Sequence, residues 1–170
     1  MVTYDAIIPA GGEIDDAFSS VVGTKNKALI EFQGATVLER IVQARRIAVT
    51  GPAEVHDSKG GVMADLRLLP GNSGPDNILR GLDALTQTDA PDKVVVVTSD
   101  LPFFTSEIAR RFIEACPTDV DICLPLVDRL AYEARFPGST STFVRLKDGT
   151  WTAGCMYLLD VQALRRAKPY

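Results

Sequence analysis

Four consecutive valines at residues 94–97 constrain the fold more than any other feature of this chain. A run that is apolar at every position has no polar face, which is typical of an interior strand of a parallel sheet covered by helices on both sides. The run begins after Lys93 and gives way to the polar turn Ser99-Asp100-Leu101-Pro102. We therefore predict a central strand over residues 93–98 in an α/β fold.

Short apolar runs that end at glycine, proline or a polar turn predict further strands. They cover residues 6–10, 47–50, 66–69, 120–125, 143–146 and 151–159. Apolar residues at helical spacing predict helices over residues 36–44, 76–86 and 106–115. The Asp-Gly pair between the last two strands is a good hairpin turn. Strands alternating with helices and followed by a late hairpin predict a three-layer α/β/α sandwich with a mostly parallel sheet.

The chain has 170 residues, the size of one domain. Two places look incomplete for such a fold. Only Arg45-Arg46 separates the helix ending near Ala44 from the next strand, although a parallel crossover must travel back along the sheet. The sequence also stops at Tyr170, soon after a helix has begun. We therefore expect residues 1–170 to form a single domain that lacks loop residues or is incomplete at the C-terminus.

Composition narrows the class of partner. The chain has 18 basic and 22 acidic side chains, a net charge of −4, which gives no electrostatic reason to expect nucleic acid or an anionic membrane as partner. No stretch approaches the roughly 18 continuous apolar residues of a membrane span, and the N-terminus lacks the pattern of a signal peptide. Cys116, Cys123 and Cys155 have no CxxC spacing, so we expect free thiols in a reducing cytoplasm. We predict a cytoplasmic protein.

Several common catalytic motifs are missing from the sequence: the P-loop, the GxGxxG fingerprint, GxSxG and HExxH. The single histidine, His56, lies in a polar stretch and reads as a surface-loop residue. What remains is three polar segments, each placed where a predicted strand ends. Ligands of open α/β sheets bind at that edge, so we expect the site there.

The first segment is Pro9-Ala10-Gly11-Gly12, followed after a polar loop by Lys25 and Lys27. Glycines let a backbone approach a nucleotide and offer N–H groups to phosphate oxygens. A lysine at the end of the loop can neutralise a triphosphate. The alternative interpretation of the glycine pair alone is a simple strand–helix turn.

The second segment carries Asp100 at the tip of the valine strand, and the third spans residues 72–77. A carboxylate there is costly to desolvate unless it is paired or binds a cation, and Mg²⁺ takes one or two carboxylates with phosphate oxygens and water. The alternative role, an N-cap, fits Thr105 and Ser106 better because they lie closer to the next helix. The polar groups of residues 72–77 could read a nucleobase edge or cap the helix that follows.

Four stretches, taken in order, resemble the MobA-like NTP transferase family. They are DAIIPAGG, NKALIEFQGATVLERIV, DNILRGLDAL and VVVVTSDLPFFT, within a resemblance that spans residues 4–160. The family groups molybdenum-cofactor guanylyltransferase with cytidylyl- and sugar-phosphate nucleotidylyltransferases. The resemblance implies a Rossmann-like sheet of the nucleotide-diphospho-sugar transferase type. It also implies transfer of a nucleoside monophosphate from an NTP to a small phosphorylated acceptor, with release of pyrophosphate and help from Mg²⁺.

The resemblance also assigns roles by position. Lys27 and Asp100 would be the catalytic pair, with Asp100 binding the metal and Lys27 the phosphates. The nucleotide-binding residues would be Ala10, Gly11, Gly12, Lys25, Lys27 and Asn77, the last in the base pocket. Which NTP and which acceptor are used, and the oligomeric state, stay open.

This sequence departs from the family pattern in two places. The loop GGxGxRMGxxK is replaced by one that lacks the arginine and carries Glu13, Asp15 and Asp16, whose charges would repel a triphosphate unless they point away. Cys155 stands where relatives bring a second metal ligand, and a thiol is a poor ligand for Mg²⁺. These departures keep open a catalytically degenerate nucleotide-binding protein. A glycosyltransferase using an NDP-sugar is a further alternative, although its Asp-x-Asp spacing, Asp119 to Asp121, begins a strand.

Overall fold

The computed structural model describes residues 4–41, 44–87 and 89–166. In chain order the strands are β1 (Asp5–Pro9), β2 (Glu31–Phe32), β3 (Ala35–Thr36), β4 (Ile47–Thr50), β5 (Leu66–Leu68), β6 (Lys93–Val97), β7 (Ile122–Cys123), β8 (Leu126–Asp128), β9 (Val144–Leu146), β10 (Gly149–Ala153) and β11 (Met156–Asp160). The α-helices are α1 (Asp16–Val22), α2 (Val37–Ile41), α3 (Ala53–His56), α4 (Lys59–Val62), α5 (Gly74–Leu85), α6 (Ser106–Ala115), α7 (Arg129–Arg135) and α8 (Val161–Arg166), with one 3₁₀ helix at Lys27–Leu29.

A six-stranded central sheet has the order β5-β4-β1-β6-β11-β7. The first four strands are parallel, and β11 runs antiparallel to both of its neighbours. Because β5, β1 and β6 point the same way, the loops that follow them meet at one edge. The predicted three-layer α/β/α sandwich with a mostly parallel sheet is confirmed.

Side chains of the interior strands point alternately to the two faces of the sheet and pack into two separate hydrophobic cores. Ile8, Val95 and Val97 pack on one face with residues of α2 and α6. Ile7 and Val96 pack on the other face with residues of α5 and α8. All four valines of β6 are buried, so the strand is covered on both sides as its sequence predicts.

Helix α5 lies close against β1, and a glycine makes this approach possible. A Cβ added at Gly81 would lie 2.6 Å from Cγ2 of Ile7, far inside van der Waals contact. Gly81 therefore serves packing. The close fit fixes the start of α5, and with it the preceding loop, over the end of the sheet.

The main error in the predicted strands is at residues 151–159, which form two strands rather than one. β10 belongs to a separate three-stranded sheet of order β8-β10-β9, whereas β11 joins the central sheet. The chain changes sheets at Gly154, where an added Cβ would lie 2.6 Å from the ring of Pro125. That close approach comes from tertiary packing and is invisible in the local pattern. The predicted strand at 120–125 is also shorter, because only Ile122 and Cys123 pair with β11.

The connection from β1 to β4 contains a short hairpin, β2-β3, followed by α2. α2 ends at Ile41. Part of the helix predicted over residues 36–44 lies outside the described residues, at 42 and 43. The expected loss of loop residues and incomplete C-terminus stay predictions. In the part of the chain that the structure describes, every helix is too short or too polar to span a bilayer.

Candidate functional site

A cleft of about 410 Å³ lies at the edge of the sheet where the parallel strands end. The loops that follow β1, β5 and β6 line it, together with Lys27 and Asn77. Each loop was one of the three segments singled out in the sequence. The topology brings them together because the three strands share one direction.

Lys27 and Asp100 face each other in this cleft. The Lys27 Nζ lies 3.8 Å from Oδ2 of Asp100, and both side chains are partly open to solvent, at 40% and 43%. They are the two charged residues among those that line the cleft. The pair is longer than a close hydrogen-bonded ion pair, so both groups keep the capacity to bind a ligand.

The other oxygen of Asp100 is held by its own loop. The Thr98 hydroxyl donates to Oδ1 of Asp100 over 2.6 Å, and the Thr98 N–H donates to the Cys155 carbonyl over 3.0 Å. Thr98 thus ties Asp100 to the start of β11. At the far end of the loop, Thr105 caps α6 by accepting from the Ile108 N–H, which leaves Asp100 without the capping role.

Asn26 positions Lys27, a role that the sequence motifs did not predict. It is 2% exposed. Its Nδ2 donates to the Ala10 carbonyl over 2.8 Å, and its Oδ1 accepts from the Ala28 N–H over 2.8 Å. The Lys27 N–H itself donates to the Gly12 carbonyl over 2.9 Å. A polar residue directly before a short helical turn is the available sequence signal for such a cap.

Two predicted nucleotide contacts are placed away from the cleft lining. Ala10 is fully buried, and its N–H donates to the Thr50 carbonyl over 2.7 Å. Lys25 pairs with Asp16 over 2.7 Å on an exposed surface. The structure therefore brings together Gly11, Gly12, Lys27, Asn77 and Asp100, but not Ala10 and Lys25.

The acidic loop between Gly12 and Lys25 folds into α1, a helix absent from the sequence prediction. Asp15 is its N-cap, accepting from the Phe18 N–H over 2.9 Å, and Gly23 ends it in a left-handed conformation, φ 76°. Asp16 is neutralised by Lys25. None of the loop's carboxylates lines the cleft. Their charges therefore lie outside the cleft lining, as is required if a triphosphate is to bind there.

The third loop is built by side chains of α5. Ser73 caps the helix by accepting from the Asp76 N–H over 3.2 Å. Oδ2 of Asp76 accepts from the Asn72 N–H over 2.9 Å. That hydrogen bond, together with the nearby Arg80, outweighs the effect of burial and lowers the pKa of the Asp76 carboxyl. Asp76 and Arg80 therefore serve the loop's shape.

Asn77, 9% exposed, lines the cleft from the first turn of α5. Its Oδ1 accepts from the Gly71 N–H over 2.6 Å, which fixes the orientation of the amide. The Nδ2 group has no hydrogen-bond partner among the described residues. A nearly buried side chain thus keeps a free donor at the cleft.

The glycines of the chain divide into two kinds. Ten of the 13 either have positive φ or would bring an added Cβ to within 3.4 Å of protein atoms. The other three are Gly11, Gly12 and Gly74, where an added Cβ would meet protein atoms no closer than 3.5 Å. All three line the cleft. Gly74 is helical and stands directly before Pro75, and a side chain in that position is disfavoured by the proline ring itself. At Gly11 and Gly12, packing in the described residues leaves room for a side chain, so the backbone there is open to the cleft.

Asp100 is the one carboxylate among the residues that line the cleft. No cluster of three or more His, Cys, Asp or Glu side chains capable of holding a metal occurs in the described ranges. Cys155 is half-buried and does not line the cleft. Asp121 lies at the opposite edge, where its carbonyl accepts from the N–H of Asp160, the residue paired with Lys93 at the start of β6. The Asp-x-Asp spacing that would favour a glycosyltransferase is therefore remote from the cleft.

Residues 6–138 match the family model of the MobA-like NTP transferase domain. The chain belongs to this family. The resemblance found in the sequence is thereby confirmed, and the MobA-like domain is a nucleotidyltransferase. Among proteins with curated descriptions, none matches the chain.

Solved structures agree with this assignment. A hypothetical transferase from Thermus thermophilus is 26% identical to the MobA-like domain, with a TM-score of 0.77 over 98% of this chain and 69% of that one. The 2-C-methyl-D-erythritol 4-phosphate cytidylyltransferase of Thermus thermophilus is 17% identical, with a TM-score of 0.61 over 98% and 74%. A CMP:2-keto-3-deoxy-manno-octonic acid synthetase solved with CTP is 12% identical, with a TM-score of 0.67 over 97% and 77%. Together they confirm the nucleotide-diphospho-sugar transferase type of fold.

Proposed function

We propose that this MobA-like domain moves a nucleoside monophosphate from an NTP to a small phosphate-bearing acceptor and releases pyrophosphate, with Mg²⁺ as cofactor. The observation that carries the proposal is the cleft itself. One cation and one carboxylate face each other 3.8 Å apart, in a cavity otherwise lined by uncharged groups, among them Gly11 and Gly12, where packing leaves room for a side chain. This is the distribution of charge and space that a nucleotide with its metal needs.

Lys27 and the Gly11–Gly12 turn would bind the phosphates. The Lys27 Nζ is a mobile point charge at the start of a 3₁₀ helix that Asn26 holds in place. Gly11 and Gly12 leave the turn open, so that phosphate oxygens can come close to the backbone. Lys25 would act as a helper only after leaving its partner Asp16.

The donor set fits Mg²⁺. Asp100 offers a hard carboxylate oxygen at the cleft, and Mg²⁺ is bound in such sites by one or two carboxylates with substrate phosphates and water. A second protein ligand is therefore not required, and Cys155 need not supply one. When bound, Mg²⁺ would neutralise charge on the phosphate oxygens.

In the proposed reaction an acceptor oxygen attacks the α-phosphorus while the bond to the pyrophosphate oxygen breaks. An acceptor that is already a phosphate carries an ionised oxygen and needs no general base. The lining of the cleft accordingly contains no histidine. The protein's part is positioning and charge neutralisation, in which Lys27 offsets the charge that develops on the leaving pyrophosphate.

Two similar structures suggest the chemistry of the acceptor. One is a cytidylyltransferase named for a sugar-alcohol phosphate, and the other a CMP synthetase named for a keto-sugar acid. We include in the proposal a small-molecule acceptor, no nucleic acid or membrane partner, and a cytoplasmic location. The placement of Asp15 and Asp16 outside the cleft removes one ground for a degenerate, binding-only protein.

A ligand screen tests the proposal. Each of the four NTPs is added with and without Mg²⁺, and the shift in melting temperature is recorded, since a specific ligand stabilises the folded state by mass action. We expect one NTP to raise the Tm, and to do so more with Mg²⁺. Pyrophosphate release is then measured against a mixture of sugar, alcohol and pterin phosphates.

Asp121→Asn serves as the control variant for both measurements. It removes a carboxylate from the opposite edge of the sheet, and it should show the same Tm shifts and the same pyrophosphate release as the wild-type protein. If no NTP shifts the Tm of the wild-type protein, the proposed function is wrong. If an NTP binds but no acceptor in the mixture leads to pyrophosphate release, the binding-only alternative is favoured instead.

A further inference from the structure

We infer that Phe32 and Phe103 are positioning residues, whose ring contact holds the two segments that carry Lys27 and Asp100 at a set separation. The inference rests on the proposed function and deepens it, because it concerns the residues behind the proposed phosphate and metal ligands. Neither phenylalanine lines the cleft. Phe32 follows Lys27 by five residues, and Phe103 follows Asp100 by three.

The ion pair between Lys27 and Asp100 is too loose to set its own geometry. Its charged atoms are 3.8 Å apart, and both side chains are partly exposed. An exposed pair of this kind contributes little free energy, and the lysine charge sits on a flexible chain of four carbons. The separation of the two groups must therefore come from contacts between the segments that carry them.

These segments, residues 27–32 and 98–104, share a hydrophobic core on their inner side. Leu29, Ile30 and Leu101 pack against the cluster that contains Phe104. No backbone hydrogen bond joins the two segments in the part of the chain that the structure describes. On the outer side, their separation thus depends on side-chain contacts.

The outer contact is an edge-to-face pair of rings. The centroids of Phe32 and Phe103 are 5.1 Å apart, and the ring planes make an angle of 79°, which is a geometry that aromatic pairs prefer. Phe103 is 71% exposed, so its ring adds little to the hydrophobic core. What the ring does provide is a contact from the Asp100 loop to the segment that carries Lys27.

Phe32 is itself held in place by Arg40 of α2. The Arg40 guanidinium carbon lies 5.6 Å from the centroid of the Phe32 ring, and Nη2 donates to the Phe32 carbonyl. Arg40 thus contacts both the ring and the backbone of the same residue, and α2 in turn packs on the core. Phe103 therefore contacts a fixed partner, and that contact positions the loop carrying Asp100.

A triphosphate with its metal needs both charged groups at once. When their separation is set before the ligand arrives, binding does not have to order the Asp100 loop. Loss of the ring contact should weaken binding of the phosphate–metal end by about two- to tenfold, the factor that corresponds to one aromatic pair.

The test is Phe103→Leu, which keeps an apolar side chain but removes the ring. The affinity for tripolyphosphate with Mg²⁺, measured by titration calorimetry, should fall about two- to tenfold. The Tm of the free protein should change by less than about 2 °C, because substitutions at exposed positions change stability little. Phe32→Leu should show the same loss of affinity. Phe103→Tyr, which restores an aromatic ring, should regain the wild-type affinity.

Phe136→Leu is the matched control. Phe136 is also about half exposed, at 51%, and its ring pairs with Tyr132 of α7 at a centroid distance of 5.4 Å. Neither residue of that pair lines the cleft. The affinity for tripolyphosphate with Mg²⁺ should stay at the wild-type value. A loss as large as that in Phe103→Leu would overturn the inference.

A combination with Asp100→Asn separates positioning from a general loss of structure. If the rings act through Asp100, Phe103→Leu should weaken tripolyphosphate binding in the wild-type background and cause no further loss in Asp100→Asn. An equal loss in both backgrounds would overturn the inference, as would wild-type affinity in Phe103→Leu or a failure of Phe103→Tyr to restore binding. These results leave the proposed function intact. If the wild-type protein binds neither an NTP nor tripolyphosphate with Mg²⁺, the proposed function fails, and the inference fails with it.

Discussion

Two carboxylates lie at opposite ends of neighbouring strands and have opposite surroundings. Asp5 begins β1, is fully buried, and accepts hydrogen bonds from both Arg45 and Arg46. Asp100 follows β6, is partly exposed, and has its cation, Lys27, at 3.8 Å. The first ion pair is complete and has no capacity left for another partner, whereas the second is loose and keeps one.

The pKa of the Asp5 carboxyl shows how fully its charge is balanced by the two arginines. Burial raises the pKa of its carboxyl, but the hydrogen bonds and charges of Arg45 and Arg46 outweigh burial and hold that pKa below its usual range. The charge is stabilised entirely within the protein. Among the described residues, Asp100 has the Thr98 hydroxyl as its one close hydrogen-bond partner. We therefore expect one edge of the sheet to serve the fold and the other to serve a ligand, and the following predictions test that division.

The largest effect is expected for Asp100→Asn, which keeps the shape of the side chain but removes the charge. Loss of the proposed metal ligand should reduce pyrophosphate release by about 100-fold or more, the order found when one electrostatic group is removed from an active site. The urea midpoint should hardly change, since the side chain is 43% exposed. Asp121→Asn is the control at the other edge. Wild-type turnover in Asp100→Asn would show that Asp100 has no catalytic role.

Asp5→Asn should lower the stability of the protein and leave ligand binding unchanged, the reverse of what is expected for Asp100→Asn. Removing one partner of a buried ion pair leaves two guanidinium groups facing an amide, and we expect a loss of about 3 kcal/mol in the free energy of unfolding. Urea denaturation measures it, while the NTP affinity of the folded protein should stay at the wild-type value. Asp89→Asn is the matched control. It removes the second, 66% exposed partner of Arg45 and should cost less than about 1 kcal/mol.

The sign of the pH dependence follows from the same carboxyl. Because the folded protein lowers the pKa of Asp5, the stabilisation is fully present above the ordinary aspartate pKa of about 3.9 and is lost as the pH falls through the lower folded value. Unfolding free energy should therefore fall more steeply below pH 4 in wild type than in Asp5→Asn. Urea midpoints from pH 6 down to the acid range give both slopes. Equal slopes would mean that the ion pair does not couple to folding.

The two edges also differ in how far sequence predicts them. The edge that carries Lys27 and Asp100 was predictable from local patterns. The valine run marks an interior strand, and polar segments directly after parallel strands meet at one edge of the sheet. Lys27 and Asp100, far apart in the chain, were accordingly expected to face each other, and they do. Their roles in catalysis stay predictions.

The rest depended on contacts that no local pattern encodes. Asp5 and Arg45 are 40 residues apart, and nothing around either residue predicts their ion pair. The pairing of Lys25 with Asp16 arises only because the acidic loop forms α1. Some signals were present but unused. Thr36 and Glu39 form a reciprocal capping box, which marks the start of α2.

The smallest predicted effect tests whether Lys27 and a metal ion compete for Asp100. If Asp100 binds the metal as proposed, Lys27 competes with that metal in the free protein, since two half-exposed charges 3.8 Å apart attract by about 1 kcal/mol. Lys27→Met should therefore bind Mn²⁺ alone about fivefold more tightly than wild type, although its affinity for the NTP falls. Lys25→Met, whose lysine pairs with Asp16 outside the cleft, should leave both values unchanged. Titration of Mn²⁺ without nucleotide, followed by electron paramagnetic resonance, gives the comparison. An unchanged Mn²⁺ affinity in Lys27→Met would mean that the lysine and the metal do not share Asp100. It would contradict the idea that the loose ion pair keeps a carboxylate available for a ligand.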